Sequence, residues 1–431
     1  MIFSIAWKNI WRNRMRSLIV MIAVTIGMVG GIFSSAIMKG MSEQRVKEAI
    51  KYEVSHIQIH HPKFLENQEM TYDIPGAGKK IQHLKGMPEI AAVSKRLEMP
   101  VMIKSSTTGT GVQLLGINPE HEKQVTSIYK AVYDSAAVAE NLNIKDGEKI
   151  QNFIEDSVGH YFDKKTRSKQ IVIGEKLAEQ LKVDVKSKLI VNLQTLDGSL
   201  TGGVFRVAGI YRITNSATEN SMAFVKKNEL ASLVGLENGS AHEIAIKLNE
   251  GVELKSVVKK LQTKYPELSV MSWKDIQPDL GMVTEWLDIM LYVVMVIILL
   301  ALAFGIVNTM LMVVLERVKE LGMLMAIGMN RLRVFSMIML ETIFLSITGG
   351  IVGMVIAALL VGYYGENGIY LKSFSQGFEA VGYSPVLYPE IGIQFYLTIV
   401  LLIILAAIIA SIYPAIKALR LKPAEALRIE I

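Results

Sequence analysis

The stretch Leu315-Glu316-Arg317-Val318-Lys319-Glu320-Leu321-Gly322-Met323-Leu324-Met325-Ala326-Ile327-Gly328 closes an uncharged apolar run that begins at Ile289. A run of that length covers a hydrocarbon core, which takes about 20 residues. It empties into a short charged helix, and Gly328 supplies the stop before Arg331 and Arg333 open the next apolar run. Residues 316–333 hold Arg317, Lys319, Arg331 and Arg333 against Glu316 and Glu320, a bias that predicts a cytoplasmic turn. Val314, Val318, Leu321 and Met325 recur at helical spacing, so one face can dock on another body. An ordinary amphipathic loop helix has the same pattern, and these residues alone leave both readings open.

Working outward, the sequence predicts four membrane helices at 17–39, 285–315, 334–362 and 391–416, separated by charged segments. Residues 1–16 carry Lys8, Arg12, Arg14 and Arg16 and are expected inside. Phe3, Trp7 and Ile10 fall on one side of that segment, as in a helix lying in the interface. Residues 363–390 hold three acids against Lys372 and are expected outside, whereas the basic tail 417–431 returns inside. Residues 40–284 are then extracytoplasmic and form the largest unit. Small residues at Ser34 and Ala36 also admit a cleavable signal peptide, but the apolar run exceeds the usual 7–15 residues.

With 51% apolar residues and positive mean hydropathy over 431 residues, the chain is expected to combine spans with one sizeable folded domain. The net charge of +6 gathers beside the spans, where it anchors topology and meets anionic head groups, so nucleic acid is not an expected partner. The absence of cysteine excludes disulfides, thiolate metal sites and a cysteine nucleophile.

Within 40–284 strand and helix signals alternate. Residues 54–60, 171–174, 204–211 and 242–248 read as strands, and 175–181 and 254–265 as helices, which argues for α+β layers. His56 and His60 are spaced as a zinc pair would be on a helix, but on a strand they lie over about 12 Å apart, so no metal site is expected. Gly76-Ala77-Gly78-Lys79-Lys80 lacks the spacing of a phosphate loop, and no G-x-x-x-x-G-K-[ST] occurs in the sequence. Three small-xxx-small pairs, Gly27/Gly31, Ala301/Gly305 and Gly349/Gly353, predict close helix packing or a dimer. Glu341 is costly in a span and calls for a partner near the head groups. No nucleophile–base or paired-carboxylate set is identifiable, so a hydrolase is not expected.

The run Asn308-Thr309-Met310, Glu316-Arg317, Glu320-Leu321-Gly322 and Ala326-Ile327-Gly328 resembles the signature of the FtsX-like and MacB-like permeases of ABC transporters. Two further segments resemble the family: Asn9-Ile10, Arg12, Arg14 and Arg16-Ser17 before the first span, and Tyr413-Pro414-Ala415, Lys417-Ala418, Arg420 and Pro423 to Arg428 at the end. The resemblance implies an FtsX-like permease domain over 285–425. It also implies a MacB-like periplasmic core domain over 40–284, whose porter-like subdomain receives an inserted subdomain between about 104 and 221. By the same resemblance residues 316–333 hold the coupling helix that sits in a cleft of an ABC ATPase, through Glu316, Arg317, Glu320, Leu321, Gly322, Met325, Ala326 and Gly328. ATP and Mg would be bound by that partner and not by this chain, which is expected to be no enzyme itself. A second permease copy or a related permease is implied, as is a multi-pass protein of the inner membrane. The run His56-Ile57-Gln58-Ile59-His60 is similar to one after the first span of lipoprotein-releasing permeases and tilts the expected substrate toward lipoproteins, handed to a periplasmic carrier or adaptor. Peptide or drug efflux, or a non-ABC sensor or scaffold, are the alternatives.

Overall fold

The computed structural model describes residues 2–12, 14–132, 160–162, 169–237 and 239–419. Two units emerge: Met1–Ser42, Thr284–Ile369 and Leu387–Ile431 form the first, and Glu43–Val283 with Tyr370–Val386 the second. The helical unit is built on α1 (Ile2–Arg12), α2 (Arg14–Glu48), α3 (Pro278–Glu316), α4 (Val318–Ala326), α5 (Arg331–Asn367) and α6 (Ile393–Leu419). Among the described residues four helices, α2, α3, α5 and α6, are long and apolar enough to cross a membrane. Lipid offers the backbone no hydrogen bonds, so such segments must satisfy their own donors and acceptors as helices.

Two of these helices outrun the spans expected at 17–39 and 285–315. At 1.5 Å per residue α2 is about 52 Å long and α3 about 58 Å, against a hydrocarbon thickness of about 30 Å. The charges at Lys39 and Asp288 end the apolar composition without ending either helix. Instead they pair with each other, Lys39 Nζ lying 2.5 Å from Asp288 Oδ1.

Small residues govern how closely the helices approach, although not in all three predicted pairs. A Cβ at Gly353 would stand 2.8 Å from Met28 Cβ and 2.9 Å from the Thr25 carbonyl oxygen, and one at Gly349 would stand 2.9 Å from the Met21 carbonyl oxygen. Thr25 also donates its hydroxyl to the Gly349 carbonyl at 3.0 Å. Gly27 and Gly31 receive Leu302, Met295 and Ile298 of α3. Ala301 and Gly305 belong to a different face: Ala301 is exposed, and nothing lies within 4 Å of a Cβ at Gly305. The i, i+4 spacing was right, but α3 turns that edge away from its own chain.

The second unit is α+β. Its strands are β1 (Ile57–His60), β2 (Ile90–Lys104), β3 (Gly109–Ile117), β4 (Gln170–Gly174), β5 (Lys188–Gln194), β6 (Leu200–Tyr211), β7 (Met222–Lys226), β8 (Glu243–Leu248) and β9 (Ser269–Ser272). Their order is β3-β7-β4-β6-β5-β2-β8-β1-β9, with β2 also pairing β3. The antiparallel set β2-β8-β1-β9, with helices Ala77–Lys85 and Leu254–Lys264 in its crossovers, has the split β-α-β arrangement of ferredoxin-like folds. Ile59, Leu84, Ile244, Ile246 and Leu261 fill its core.

Strand β2 is shared. Ile90 to Arg96 pair with β8, whereas Leu97 to Lys104 pair with β3, and Met102 to Lys104 also meet β5. Strands β2, β3, β7, β4, β6 and β5 therefore close into a ring around Leu97, Ile103, Leu114, Ile173, Val191, Phe205 and Val225. The inserted subdomain consequently begins halfway along β2 at Leu97, not at 104. It also runs past 221, because β7 and the helix Lys227–Val234 pack within the ring, Leu230 touching Gly116. The expected strand at 54–60 shortens to β1, since Ala49–Val54 forms a π-helical turn instead. The strands expected near 171, 204 and 242 and the helices at 175 and 254 coincide with β4, β6, β8, Glu175–Leu181 and Leu254–Lys264.

The glycine contacts set a measurable contrast. Gly353→Ala is expected to cost about 1 to 3 kcal/mol, because backbone lies in the way of the new methyl. Gly305→Ala should leave thermal unfolding of the detergent-solubilised protein unchanged or slightly raised. Equal melting temperatures for the two variants would refute the packing described.

Candidate functional site

Two constellations stand out, one in each unit. In the helical unit α3 stops at Glu316 because Arg317 leaves helical geometry (φ −96°, ψ 14°), and α4 starts immediately after it. Gly328 at φ +100° turns the chain in a region that L-residues rarely enter. Asn330 then caps α5 by accepting the Leu332 amide at 3.2 Å.

Arg317 organises this corner. Its Nε lies 3.0 Å from Glu320 Oε2 and its Nη1 3.2 Å from Glu341 Oε2. Arg12 of α1 also pairs with Glu320. Glu341, only 5% exposed, thus has the cationic partner its position demands. A cavity of about 20 Å³, lined by Arg12, Ser17, Thr309, Arg317 and Glu341 among others, adjoins the pair.

The stripe Val314, Val318, Leu321, Met325 does not face outward as a docking surface. Val314 and Leu321 are buried with Val334 in the helical core, Val318 and Gly322 are buried as well, and Met325 is half-buried. The periodicity was read correctly, but an apolar stripe on a short helix serves its own fold first. The face left open holds Lys319, Met323, Ala326 and Ile327, with Met323 52% and Ile327 79% exposed. Glu316 and Gly328 are exposed as well, whereas Arg317 and Glu320 are engaged in the charge cluster. Tyr413, Pro414 and Ala415 lie inside α6. Arg420 and the segment Pro423 to Arg428 lie outside the described residues.

In the α+β unit Glu53, on the π-helical turn that follows α2, joins that helix to two segments distant in sequence. It accepts from Arg45 Nη1 at 2.9 Å, Asn215 Nδ2 at 3.1 Å and Gln277 Nε2 at 2.8 Å. Arg45 lies on α2, Asn215 caps Ser216–Ser221, and Gln277 precedes α3. Bonds to a buried charge are the stronger kind, about 1.5 to 3 kcal/mol each. Arg45 also lies against Gly382 of the segment between α5 and α6, and Arg212 reaches Glu379 of the same segment at 3.8 Å. Nearby, Glu219 accepts the Ile213 amide, and burial pushes its carboxyl up to about 8. Nothing in the sequence singled out Glu53, because two of its partners, Asn215 and Gln277, stand far away along the chain.

Of the two histidines at 56 and 60, His56 is half-buried and His60 belongs to the core. His60 is buried, its Nε2 2.9 Å from Gln58 Oε1 and its ring stacked on Phe64. Burial holds its pKa down at about 4, so it is neutral. Beside it Arg96, fully enclosed, bridges Glu122 at 2.6 Å and Glu243 at 2.7 Å, tying helix Pro119–Val125 to β2 and β8.

Comparison with known proteins agrees with this architecture. The MacB-like periplasmic core domain model matches residues 17–264, more than half of the chain, and the FtsX-like permease C-terminal model matches 292–423. An uncharacterized ABC transporter permease of Methanocaldococcus jannaschii is 24% identical, covering 99% of this chain and 97% of its own. The lipoprotein-releasing system transmembrane protein LolC of Buchnera aphidicola is 22% identical over 98% of this chain and 96% of its own. The macrolide export ATP-binding/permease protein MacB of Escherichia coli is also 22% identical over 98% of this chain, which spans 60% of that longer protein. The larger unit is therefore an extracytoplasmic α+β domain carried by a four-helix membrane unit.

The Glu53 joint yields a stability contrast. Glu53→Ala strands the buried Arg45 cation and should cost about 3 to 5 kcal/mol. The double variant Glu53→Ala with Arg45→Met should recover part of that loss, read as a rise in melting temperature over the single variant. No recovery would mean that Arg45 does not depend on Glu53.

Proposed function

We propose, from the premise that this chain belongs to the FtsX-like, MacB-like permease family of ABC transporters, that it works as a transmitter of motion. A separate ATPase docks on the open face of α4 on the cytoplasmic side of the inner membrane and binds ATP and Mg. Its closure shifts α4, and α2 and α3 carry the displacement to the extracytoplasmic domain, where substrate is handled. A second permease copy or a related permease completes the assembly.

The observation that carries this reading is how the hydroxyls of the spans are spent. Thr25 donates to the Gly349 carbonyl, Ser34 to Gly31, Thr309 to Gly305 and Thr342 to Ile338, while Ser35 and Ser346 are buried and have no partner among the described residues. Groups bonded to backbone in this way do not line a polar path for a hydrophilic solute. Work done outside the membrane suits a substrate that already stands at the outer leaflet, and a lipid-anchored protein fits that description. The LolC likeness agrees with lipoprotein release toward a periplasmic carrier. The MacB likeness, equal in identity, supports efflux of small amphiphiles as the second reading.

Docking is tested on the face the fold leaves open. Met323→Asp with Ile327→Asp should abolish co-purification of the ATPase while the melting temperature stays within a degree or so of the parent. Retained ATPase at full stoichiometry would remove α4 as the docking element. Leu321→Asp is the contrasting control, since a carboxylate in the helical core should unfold the unit. The substrate class is read in proteoliposomes: release of a triacylated lipoprotein that depends on ATP supports the first reading, and export of a macrolide alone supports the second.

A further inference from the structure

In the helical unit α1 lies along α5, with Phe3 and Trp7 both packed on Phe344 at ring separations of 5.9 Å and 5.8 Å. Next to that contact the two helices and Met329 border an open cavity of about 800 Å³. Its walls are Phe3 and Ile5 from α1 and Met339, Leu340 and Ile343 from α5, and its polar groups are Arg333 and Ser336. Arg333, Ser336, Leu340 and Ile343 follow at helical spacing along one edge of α5, so a charged head and an apolar wall run in sequence along the same groove.

The volume falls within the range of small-molecule and cofactor sites, about 300 to 1,000 Å³. Its depth is marked by Trp7 and Trp11, 43% and 50% exposed on α1, since tryptophan settles at head-group level. Arg333 is exposed and takes part in no ion pair among the described residues. A basic group at head-group depth above an apolar cleft between helices selects an anionic lipid.

From this geometry we infer that the cleft between α1 and α5 is a binding site for an anionic phospholipid of the inner leaflet, its phosphate on Arg333 and Ser336 and its acyl chains along Ile5, Leu340 and Ile343. The leaflet, though not the site, rests on the orientation proposed above. Met329 stands in the turn after α4, so an occupied cleft props the segment that joins α4 to α5. Lipid composition would then tune how firmly the docking helix is held.

The test uses native mass spectrometry of the purified full chain, alone and with its ATPase, after incubation with phosphatidylglycerol or phosphatidylcholine. Wild type is expected to retain phosphatidylglycerol in preference to phosphatidylcholine. Arg333→Gln should weaken that retention about fivefold, the loss of about 1 kcal/mol for one basic residue near a lipid surface. Leu340→Trp, which fills the cleft without touching the charge, should reduce retention of both lipids. Equal retention by wild type and Arg333→Gln, or loss of the lipid whenever the ATPase is bound, would overturn the site. Because the readout needs no transport and no known sidedness, it can fail while the transmission reading stands, and the reverse.

Discussion

Arg317 holds Glu341, and the rest of the helical unit is arranged around that pair. A carboxylate within a membrane helix costs a few kcal/mol unless it is partnered. Its partner here sits at the single residue where α3 breaks and α4 begins. The same guanidinium reaches Glu320, which in turn pairs with Arg12 of α1. Helices α1, α4 and α5 and the α3–α4 junction therefore meet at one charge cluster, and removing Arg317 leaves the buried Glu341 uncompensated. The chain can turn sharply at Arg317 because the pair repays the turn.

If α4 is the docking helix proposed above, it can act at a distance only if something rigid leads away from it. Helices α2 and α3 both exceed the hydrocarbon thickness, and both run into residues of the α+β unit. Just where α2 ends, a π-helical turn, a feature frequent at functional sites, presents Glu53 to Arg45, Asn215 and Gln277. One carboxylate thus joins the end of α2, the inserted subdomain and the residue before α3. Further on, β2 belongs to both the ferredoxin-like layer and the closed ring, and Arg96 clamps its midpoint to Glu122 and Glu243. A strand shared in this manner gives the two subdomains a common backbone, not a flexible linker.

Much of this was legible in the sequence. The four spans announced themselves through uncharged length, and β4, β6 and β8 through short β-branched runs between turn residues. The resemblance of 308–328 supplied the family, and the family models agree. What periodicity could not supply was direction. The spacing of Val314, Val318 and Leu321 is the same whether a stripe faces a partner or its own core, and here the core takes it. Ala301 and Gly305 have the spacing of a packing pair yet stand on an open edge of α3. The ends of α2 and α3 were hidden because charges such as Lys39 and Asp288 end hydropathy and not helicity. Glu53 and the halving of β2 are long-range facts, set by residues up to some two hundred positions apart, and no local pattern encodes them. Of the histidine run that pointed to lipoprotein-releasing permeases, His60 is spent on the core around Phe64.

The central claim is that motion, not solute, crosses the membrane along α3, and site-specific photocrosslinking to the transported substrate tests it most directly. The exposed positions Trp286, Val293, Leu300, Phe304 and Met312 sample α3 from one end to the other. Capture at Trp286 and at positions in the extracytoplasmic domain, with none at Leu300, Phe304 or Met312, is the result the account predicts. Capture at Phe304 and Met312 during ATP turnover would contradict it and make α3 the wall of a translocation path.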